Sequence, residues 1–223
     1  VDYYFANVKA AAERANVPVV MHLEHGNSFS MAMQAFRAGY TSIMIDGSKL
    51  PFEENITLTK SVVDACHAGG VPVEGELGKV GGKEDDLEND DDNPYTDPKE
   101  AADFVERTGV DSLAVGIGTA HGVYKGVPQI NFEVLTKIRE LVKIPLVLHG
   151  TSGVPEDQVT RCINLGMCKV NYATDLRIAY THGVKEYLKG SPDGFDPKKY
   201  GAFGMEEVKK YVLQKMNLLK NQK

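Results

Sequence analysis

Short apolar runs along the chain alternate with longer segments whose apolar residues recur at helical spacing. The apolar runs predict strands over Val17–Glu24, Ser42–Gly47, Val71–Gly78, Ser112–Gly118, Ile144–Gly150 and Lys169–Thr174. The helical spacing predicts helices over Asp2–Asn16, Ser28–Ala38, Phe52–Ala68, Pro98–Thr108, Asn131–Val142 and Pro155–Leu165. Neighbouring parallel strands need a crossover connection, which is usually a helix. The alternation therefore predicts βαβ units and a parallel sheet.

Glycines follow four of the predicted helices, at Gly39, Gly69, Gly109 and Gly166. Glycine is favoured at a helix end because it adopts the left-handed conformation at little cost. We expect each of these glycines to be left-handed. The chain after Gly183 is predicted to be helical again, with a last amphipathic helix that ends near residue 219.

Polar residues stand at the carboxyl end of every predicted strand, as in Leu148-His-Gly-Thr-Ser-Gly153. A strand buried on both faces can keep such groups only where they face a polar site. A closed barrel gathers these strand ends into one active site, and no glycine-rich dinucleotide motif follows the first strand to favour an open sheet. We therefore predict one domain over residues 1–223, a (β/α)8 TIM barrel of the α/β class. Only six strands are counted, so the first two would precede Val1.

Three histidines combine a strand-end position with a following glycine: His25, His121 and His149. A parallel barrel points such residues into one volume. Three imidazoles with an open fourth position form a common catalytic zinc site, in which a substrate oxygen can complete the coordination. We therefore predict that they bind a divalent metal, namely zinc. The other histidines lack this placement and are interpreted as structural or surface residues: His22, His67 and His182.

Carboxylates stand on two neighbouring strands. Glu74 and Glu76 are two residues apart on one strand, so they face the same side. Two carboxylates inside a barrel are costly without a cation or a proton, which indicates that at least one lies near the metal. Asp46 ends the neighbouring strand and is a candidate ligand or partner of a ligand.

The segment from Gly78 to Asn93 combines glycines with an acidic run. This composition is typical of a mobile loop, here after the third predicted strand. A calcium loop is the alternative, although the segment lacks EF-hand spacing and flanking helices.

The last two strand ends have the features of a phosphate site. The sequences 149–153 and 171–174 each lead into a helix, so backbone amides and the positive end of the helix dipole can face an anion. In TIM barrels the loops after strands seven and eight usually bind phosphate. Lys125 could add a positive charge, although an isolated lysine is more often solvated.

The net charge of −6 and the pI near 5.6 argue against nucleic acid or an anionic membrane as the main partner. No apolar run approaches the roughly 20 residues of a membrane span. The three cysteines are an odd number, which favours free thiols in a reducing cytoplasm over disulfides.

Taken in order along the chain, these motifs resemble the class II, zinc-dependent ketose-bisphosphate aldolases. Fructose-bisphosphate and tagatose-bisphosphate aldolases are members of this family. The resemblance runs from Val1 through the last helix. The motifs that carry it are His22-Leu-Glu-His-Gly26, Met44-Ile-Asp-Gly-Ser48, Val73-Glu-Gly-Glu-Leu-Gly78, Gly81-Gly-Lys-Glu-Asp-Asp86, Gly118-Thr-Ala-His-Gly-Val-Tyr-Lys-Gly126, Leu148-His-Gly-Thr-Ser-Gly153 and Lys169-Val-Asn-Tyr-Ala-Thr174.

The resemblance implies a role for each matching residue. It implies a (β/α)8 barrel that would include about sixty further residues before Val1. His25, His121 and His149 match the zinc ligands, and Asp46 and Glu74 match residues that contact zinc in some states. The expected site for dihydroxyacetone phosphate comprises Gly122, Lys125, Gly150, Ser152, Asn171 and Thr174, with a monovalent cation (Na⁺ or K⁺) held by nearby main-chain groups. Glu84 matches the base that exchanges the C3 proton.

The implied activity is reversible cleavage of a ketose 1,6-bisphosphate, of fructose or tagatose, into dihydroxyacetone phosphate and glyceraldehyde 3-phosphate. The resemblance also implies a cytoplasmic homodimer or homotetramer in carbohydrate metabolism such as glycolysis. One alternative is a non-catalytic companion subunit or a decayed paralogue that keeps the fold and the metal. A metal-dependent hydrolase on the same barrel is a further alternative, but it does not account for the phosphate site.

One matching position departs from the family pattern. The residue before the first zinc histidine is normally aspartate, which moves the proton of the hydroxyl group beside the broken bond, and here it is Glu24. A glutamate carboxylate lies one methylene further from the backbone. The sequence alone therefore predicts that Glu24→Asp raises the activity.

Overall fold

In a computed structural model, residues 2–78, 81–82 and 95–220 are described. Six parallel strands form one sheet, and two further two-residue strands pair with each other. The bounds of the strands are β1 His22–Gly26, β2 Ser42–Ile45, β3 Val73–Leu77, β4 Gly81–Gly82, β5 Ser112–Val115, β6 Ala120–His121, β7 Leu146–Leu148 and β8 Met167–Val170. The helices are α1 Asp2–Ala12, α2 Phe29–Ala38, α3 Phe52–Ala68, α4 Pro98–Thr108, α5 Phe132–Leu141, α6 Glu156–Asn164, α7 Thr174–Gly190 and α8 Pro197–Lys220.

The six-stranded sheet has the order β1-β2-β3-β5-β7-β8, so each strand lies beside the next one along the chain. An open doubly wound sheet reverses its strand order at a switch point, whereas a barrel does not. The strand order therefore confirms the predicted α/β TIM-barrel type of fold over these six strands.

The core lies between the sheet and the helices packed on it. All five residues of β3 are buried, as expected for a strand covered on both faces. Phe104 of α4 is fully buried beside Gly75 of β3, where an added Cβ atom would lie 2.9 Å from the Phe104 ring. Glycine at this strand position therefore lets α4 pack closely against the sheet.

The first strand begins later than the sequence predicts. Val17, Val19 and Val20 are exposed, and pairing with β2 begins only where His22 lies opposite Ser42. The residues before His22 have no partner strand among the described residues, so their apolar character alone does not make them a strand.

Helix α1 ends at Ala12, before the predicted Asn16, and the last strand spans Met167–Val170 where Lys169–Thr174 was predicted. The four predicted glycine caps agree with the structure except at one position. Gly39, Gly109 and Gly166 have positive φ as expected, but Gly69 has a φ of −102° and the left-handed residue is Gly70. Gly69 is needed for another reason, because a Cβ atom there would lie 2.3 Å from the Phe36 ring.

The chain ends in a hairpin of two long helices, α7 and α8, which pack mainly on each other. Among the residues that the structure describes, no helix is both long and apolar enough to span a bilayer.

Candidate active site

A cavity of about 370 Å³ opens at the carboxyl ends of the strands. All three predicted metal ligands line it, together with the two predicted phosphate loops. The residues around it are Glu24, His25, His121, Gly122, His149, Gly150, Thr151, Ser152, Val170, Asn171, Tyr172, Ala173 and Thr174.

The three histidines lie together as the sequence predicts. One ring nitrogen from each of His25, His121 and His149 lies within 4.8 Å of the other two. His25 Nε2 and His149 Nδ1 are 3.2 Å apart, and the ring centroids of His25 and His121 are 5.2 Å apart. Tetrahedral zinc with Zn–N bonds of about 2.0–2.1 Å needs ligand nitrogens roughly 3.3 Å apart. The side chains fit such an ion.

Two of the histidines are oriented by carboxylates on the far side of their rings. His25 Nδ1 lies 2.8 Å from Asp46 Oδ2, and His149 Nε2 lies 3.0 Å from Glu74 Oε1. An imidazole that donates its far N–H to a carboxylate has its other nitrogen free for a metal. With this tautomer, His25 Nε2 and His149 Nδ1 turn lone pairs toward the same point. A cation between them would relieve their repulsion.

The carboxylates of Asp46 and Glu74 are held in the charged form. Burial raises the pKa of Asp46, but hydrogen bonds with His25 and Ser48 outweigh burial and lower this pKa to about 2. Burial likewise raises the pKa of Glu74, but the hydrogen bond with His149 and the charge of Lys169 lower it to about 2. Both residues can therefore accept hydrogen bonds from the histidines at neutral pH.

Glu76 provides a further observation in favour of a cation. Its Oε2 atom is buried and has no hydrogen-bond partner among the described residues, and it lies 3.6 Å from His25 Nδ1 and 3.7 Å from His149 Nδ1. Burial and the negative charge of Asp46 raise the pKa of Glu76 well above its usual value. Without a cation the raised pKa favours the neutral acid, and a metal ion nearby would favour the carboxylate and satisfy its oxygen.

The backbone is strained at the first histidine. His25 has a φ of +44°, and it is the only described residue other than glycine with positive φ. The register between β1 and β2 shifts between Leu23 and Gly26. Strain of this kind costs about 1–3 kcal/mol and collects at functional sites. Here the strain accompanies a break, at His25, in the alternation of side chains between the two faces of β1.

Glu24 projects toward the same cavity and is 41% exposed. Its Oε1 atom accepts a hydrogen bond of 2.8 Å from Asn171 Nδ2, and it lies 3.5 Å from His149 Nε2. The predicted proton acceptor is thus held beside the histidine cluster by a predicted substrate residue.

The predicted phosphate loops adjoin the histidines. The hydroxyl of Ser152 accepts a hydrogen bond from the Asp175 backbone N–H, which connects the loop after β7 to the first turn of α7. The Tyr124 hydroxyl accepts from the Ala120 N–H and donates to the Gly150 carbonyl, at 2.7 and 2.8 Å. These bonds hold the loop after His121 beside the loop after His149. The cavity therefore combines a cluster of nitrogen ligands with a site suited to an anion.

Among the predicted site residues that the structure describes, three do not line the cavity: Asp46, Glu74 and Lys125. Lys125 is exposed and does not line the cavity. Glu84, with most of the predicted loop Gly78–Asn93, lies outside the described residues.

Three residues at the site did not emerge from the sequence as site residues: Lys169, Tyr124 and His22. Glu76, by contrast, had a usable signal in its two-residue spacing from Glu74. Its Oε2 atom lies 3.6 Å from His25 Nδ1. Lys169 and His22 gave no such signal, because they contact each other from strands at opposite ends of the sheet. Tyr124 gave none because it bonds to loop backbone at Ala120 and Gly150.

The strand order, together with the histidine cluster at the strand ends, is typical of metal-dependent enzymes with a TIM-barrel type of fold. Residues 1–223 match the model of the family described as fructose-bisphosphate aldolase class-II. The chain belongs to the class II fructose-bisphosphate aldolase family, whose members are generally zinc-dependent lyases.

Solved structures of aldolases resemble the chain over nearly its whole length. The YdjI aldolase from Escherichia coli K12 is 40% identical, with a TM-score of 0.83 over 97% of this chain and 74% of that one. A putative fructose-1,6-biphosphate aldolase from Coccidioides immitis is 28% identical, with a TM-score of 0.89 over 98% of this chain and 77% of that one. Fructose-bisphosphate aldolase from Campylobacter jejuni is 26% identical, with a TM-score of 0.80 over 98% of this chain and 75% of that one.

Proposed function

We propose that the protein is a zinc-dependent aldolase that reversibly cleaves a ketose 1,6-bisphosphate into dihydroxyacetone phosphate and glyceraldehyde 3-phosphate. The observation that carries this proposal is one cavity in which three histidines adjoin two anion-binding loops. Membership of the class II aldolase family supports it.

His25, His121 and His149 would hold the metal. The orphaned Glu76 oxygen and the carboxylate partners of His25 and His149 support a divalent cation at this point. Zinc, when bound, supplies Lewis-acid polarisation of the substrate carbonyl. Asp46 and Glu74 would act mainly by orienting imidazoles, since each lies within 3.0 Å of a ring nitrogen on the far side from the cluster.

Glu24 would take the proton of the C4 hydroxyl during cleavage. That transfer turns the hydroxyl into the aldehyde carbonyl as the C3–C4 bond breaks, and the bonding electron pair stays on C3 next to the ketone. Asn171 donates to Glu24 Oε1. Lys169 Nζ and His22 Nε2 each lie 3.7 Å from Oε2, beyond hydrogen-bond distance, so Oε2 can take the proton.

The two loops would bind the phosphate of dihydroxyacetone phosphate. Backbone amides near Gly150 and Ser152 and the start of α7 at Thr174 offer hydrogen bonds and a favourable helix dipole. Gly122 and Asn171 line the same cavity, and a monovalent cation such as Na⁺ or K⁺ would bind to nearby carbonyl groups. Lys125 would have to turn inward from its exposed position to reach the substrate.

Glu84 would protonate C3 after cleavage. We expect Glu84→Gln to slow exchange of the C3 proton of dihydroxyacetone phosphate with solvent by about 10²–10⁴-fold, because an amide cannot transfer that proton. Zinc content should not change. Hydrogen–deuterium exchange followed by NMR measures the rate, and Glu88→Gln in the same segment is the matched control. An unchanged exchange rate in Glu84→Gln would remove Glu84 from the mechanism.

The activity is tested by incubating the zinc-loaded protein with fructose 1,6-bisphosphate and with tagatose 1,6-bisphosphate. We expect dihydroxyacetone phosphate from at least one of them, loss of cleavage with a chelator and recovery with zinc. Bound zinc without cleavage of either sugar would favour a non-catalytic companion subunit. Release of inorganic phosphate without cleavage of the C–C bond would indicate a hydrolase.

We also propose a homo-oligomer, a dimer or a tetramer, that works in the cytoplasm in carbohydrate metabolism. Exposed apolar side chains on α7 and α8, among them Ile178, Phe203 and Met205, support association with another subunit. The three free cysteines support a reducing compartment.

A further inference from the structure

Beside the three-histidine cluster lies a second group of metal-type donors. One ligand atom from each of His22, Glu24 and Glu74 lies within 4.8 Å of the other two. In donor type and spacing alone, this group resembles a further cation site. It shares none of its three residues with the histidine cluster.

A cation of the protein itself already lies among these donors. Lys169 Nζ donates to Glu74 Oε2 at 2.7 Å, lies 3.2 Å from His22 Nε2, and is 3.7 Å from Glu24 Oε2. Glu74 and His22 lie within hydrogen-bond distance of the ammonium group, and Glu24 lies at ion-pair distance from it. Burial, and after it the charge of Lys169, lower the pKa of His22. The neutral ring can accept from Lys169 in the tautomer with Nε2 unprotonated.

The contacts of Glu24 come from two sides. Asn171 Nδ2 donates to Oε1 at 2.8 Å, while Oε2 faces the ammonium group of Lys169 and the His22 ring, each at 3.7 Å. Glu74 anchors Lys169 through an ion pair of 2.7 Å. The Glu74 side chain is 2% exposed, and breaking this pair would leave its buried charge uncompensated. The position of Lys169 is therefore fixed independently of Glu24.

We propose that Lys169 is a positioning residue that, with Asn171, holds the longer side chain of Glu24 where the reaction needs a proton acceptor. This inference rests on the proposed function. The pocket is fitted to glutamate in place of the aspartate of the family pattern. The sequence-based expectation that Glu24→Asp raises the activity is thereby reversed.

Glu24→Asp tests the fit first, because it changes a side chain that is 41% exposed and leaves Lys169 and Glu74 paired. Shortening the side chain withdraws the carboxylate by more than 1 Å, and a misplacement of about 1 Å can cost roughly 10²-fold in rate. We expect kcat to fall by about that factor, with KM and zinc content unchanged. An equal or higher kcat would overturn the proposal.

Lys169→Met tests the proposed cation, and Lys169→Arg tests rescue by a residue that keeps the charge. We expect kcat of Lys169→Met to fall by about 10²-fold with KM and zinc content unchanged, and Lys169→Arg to recover part of the loss. Loss of zinc from Lys169→Met would show that Lys169 acts through Glu74 and His149, and would overturn the proposal. In the Glu24→Asp background, Lys169→Met should have little further effect, because the shorter carboxylate no longer reaches the ammonium group. Fully additive losses would mean that Lys169 acts independently of Glu24 and would overturn the proposal. Lys137→Met, which removes a surface ion pair with Glu133, is the matched control.

Crystal structures of the protein and of Lys169→Met separate this proposal from the proposed function. If neither ketose bisphosphate is cleaved, the proposed function fails, and the position of the Glu24 carboxylate still decides the role of Lys169. We expect that carboxylate to be displaced by about 1 Å or more in Lys169→Met, a distance that matters for catalysis. An unmoved carboxylate would overturn the proposal whatever the activity.

Discussion

His149→Ala is expected to abolish zinc binding and aldol cleavage together. His149 is the most buried of the three histidines, and its Nε2 atom lies 3.0 Å from Glu74 Oε1 and 3.2 Å from Asn171 Nδ2. Loss of a group that merely orients a metal ligand already costs about 10–100-fold in metal affinity, so loss of the ligand should cost more. We expect cleavage to fall by at least about 10³-fold, because the carbonyl is then no longer polarised. Zinc content by elemental analysis and a cleavage assay measure the two losses.

His182→Ala is the matched control, since His182 is an exposed histidine on α7, away from the cavity. It should keep the zinc content and activity of the unchanged protein. Circular dichroism checks that His149→Ala still folds. A folded His149→Ala protein with one zinc ion per chain would show that the ligand set is wrong.

Gly150→Ala is expected to have the largest effect on stability. Gly150 has a φ of +64°, and a Cβ atom there would lie 2.6 Å from the Ala120 carbonyl oxygen and 2.7 Å from its carbonyl carbon. The left-handed conformation costs alanine roughly 1–2 kcal/mol, and overpacking against backbone costs typically 1–3 kcal/mol more. The free energy of unfolding should therefore fall by about 2–5 kcal/mol. Any relaxation would also move His149 relative to His121.

Gly70→Ala separates the two contributions. Gly70 has a similar φ of +72°, but no atom lies within 4 Å of an added Cβ. Denaturant unfolding should therefore show only the conformational cost for Gly70→Ala, and the difference between the variants measures the crowding at Ala120. Equal losses in the two variants would contradict the close approach of Gly150 to Ala120.

Much of the fold followed from patterns that act locally. The helices α3 and α4 were predicted to the residue, because proline and acidic residues mark their starts and glycine marks their ends. The first strand was misplaced, since the apolar residues Val17, Val19 and Val20 have the composition of a strand without a partner to pair with. Whether a segment forms a strand depends on the neighbouring strand with which it pairs, and the sequence of the segment alone does not determine this.

The candidate site was predictable to the extent that strand ends converge. That rule brought His25, His121 and His149 together. The rule could not predict which of Glu74 and Glu76 contacts a histidine, because both face the same side of β3 and their neighbours lie on other strands. Only the packing places Glu74 between His149 and Lys169, with Glu76 left unpartnered on its Oε2 atom among the described residues.

Anomalous diffraction at the zinc absorption edge, from crystals of the zinc-loaded protein, tests the metal centre most directly. We expect one strong peak within about 2.0–2.2 Å of a ring nitrogen of each of His25, His121 and His149. A peak at another position, or no peak among these histidines in protein that carries one zinc ion per chain, would contradict the central claim.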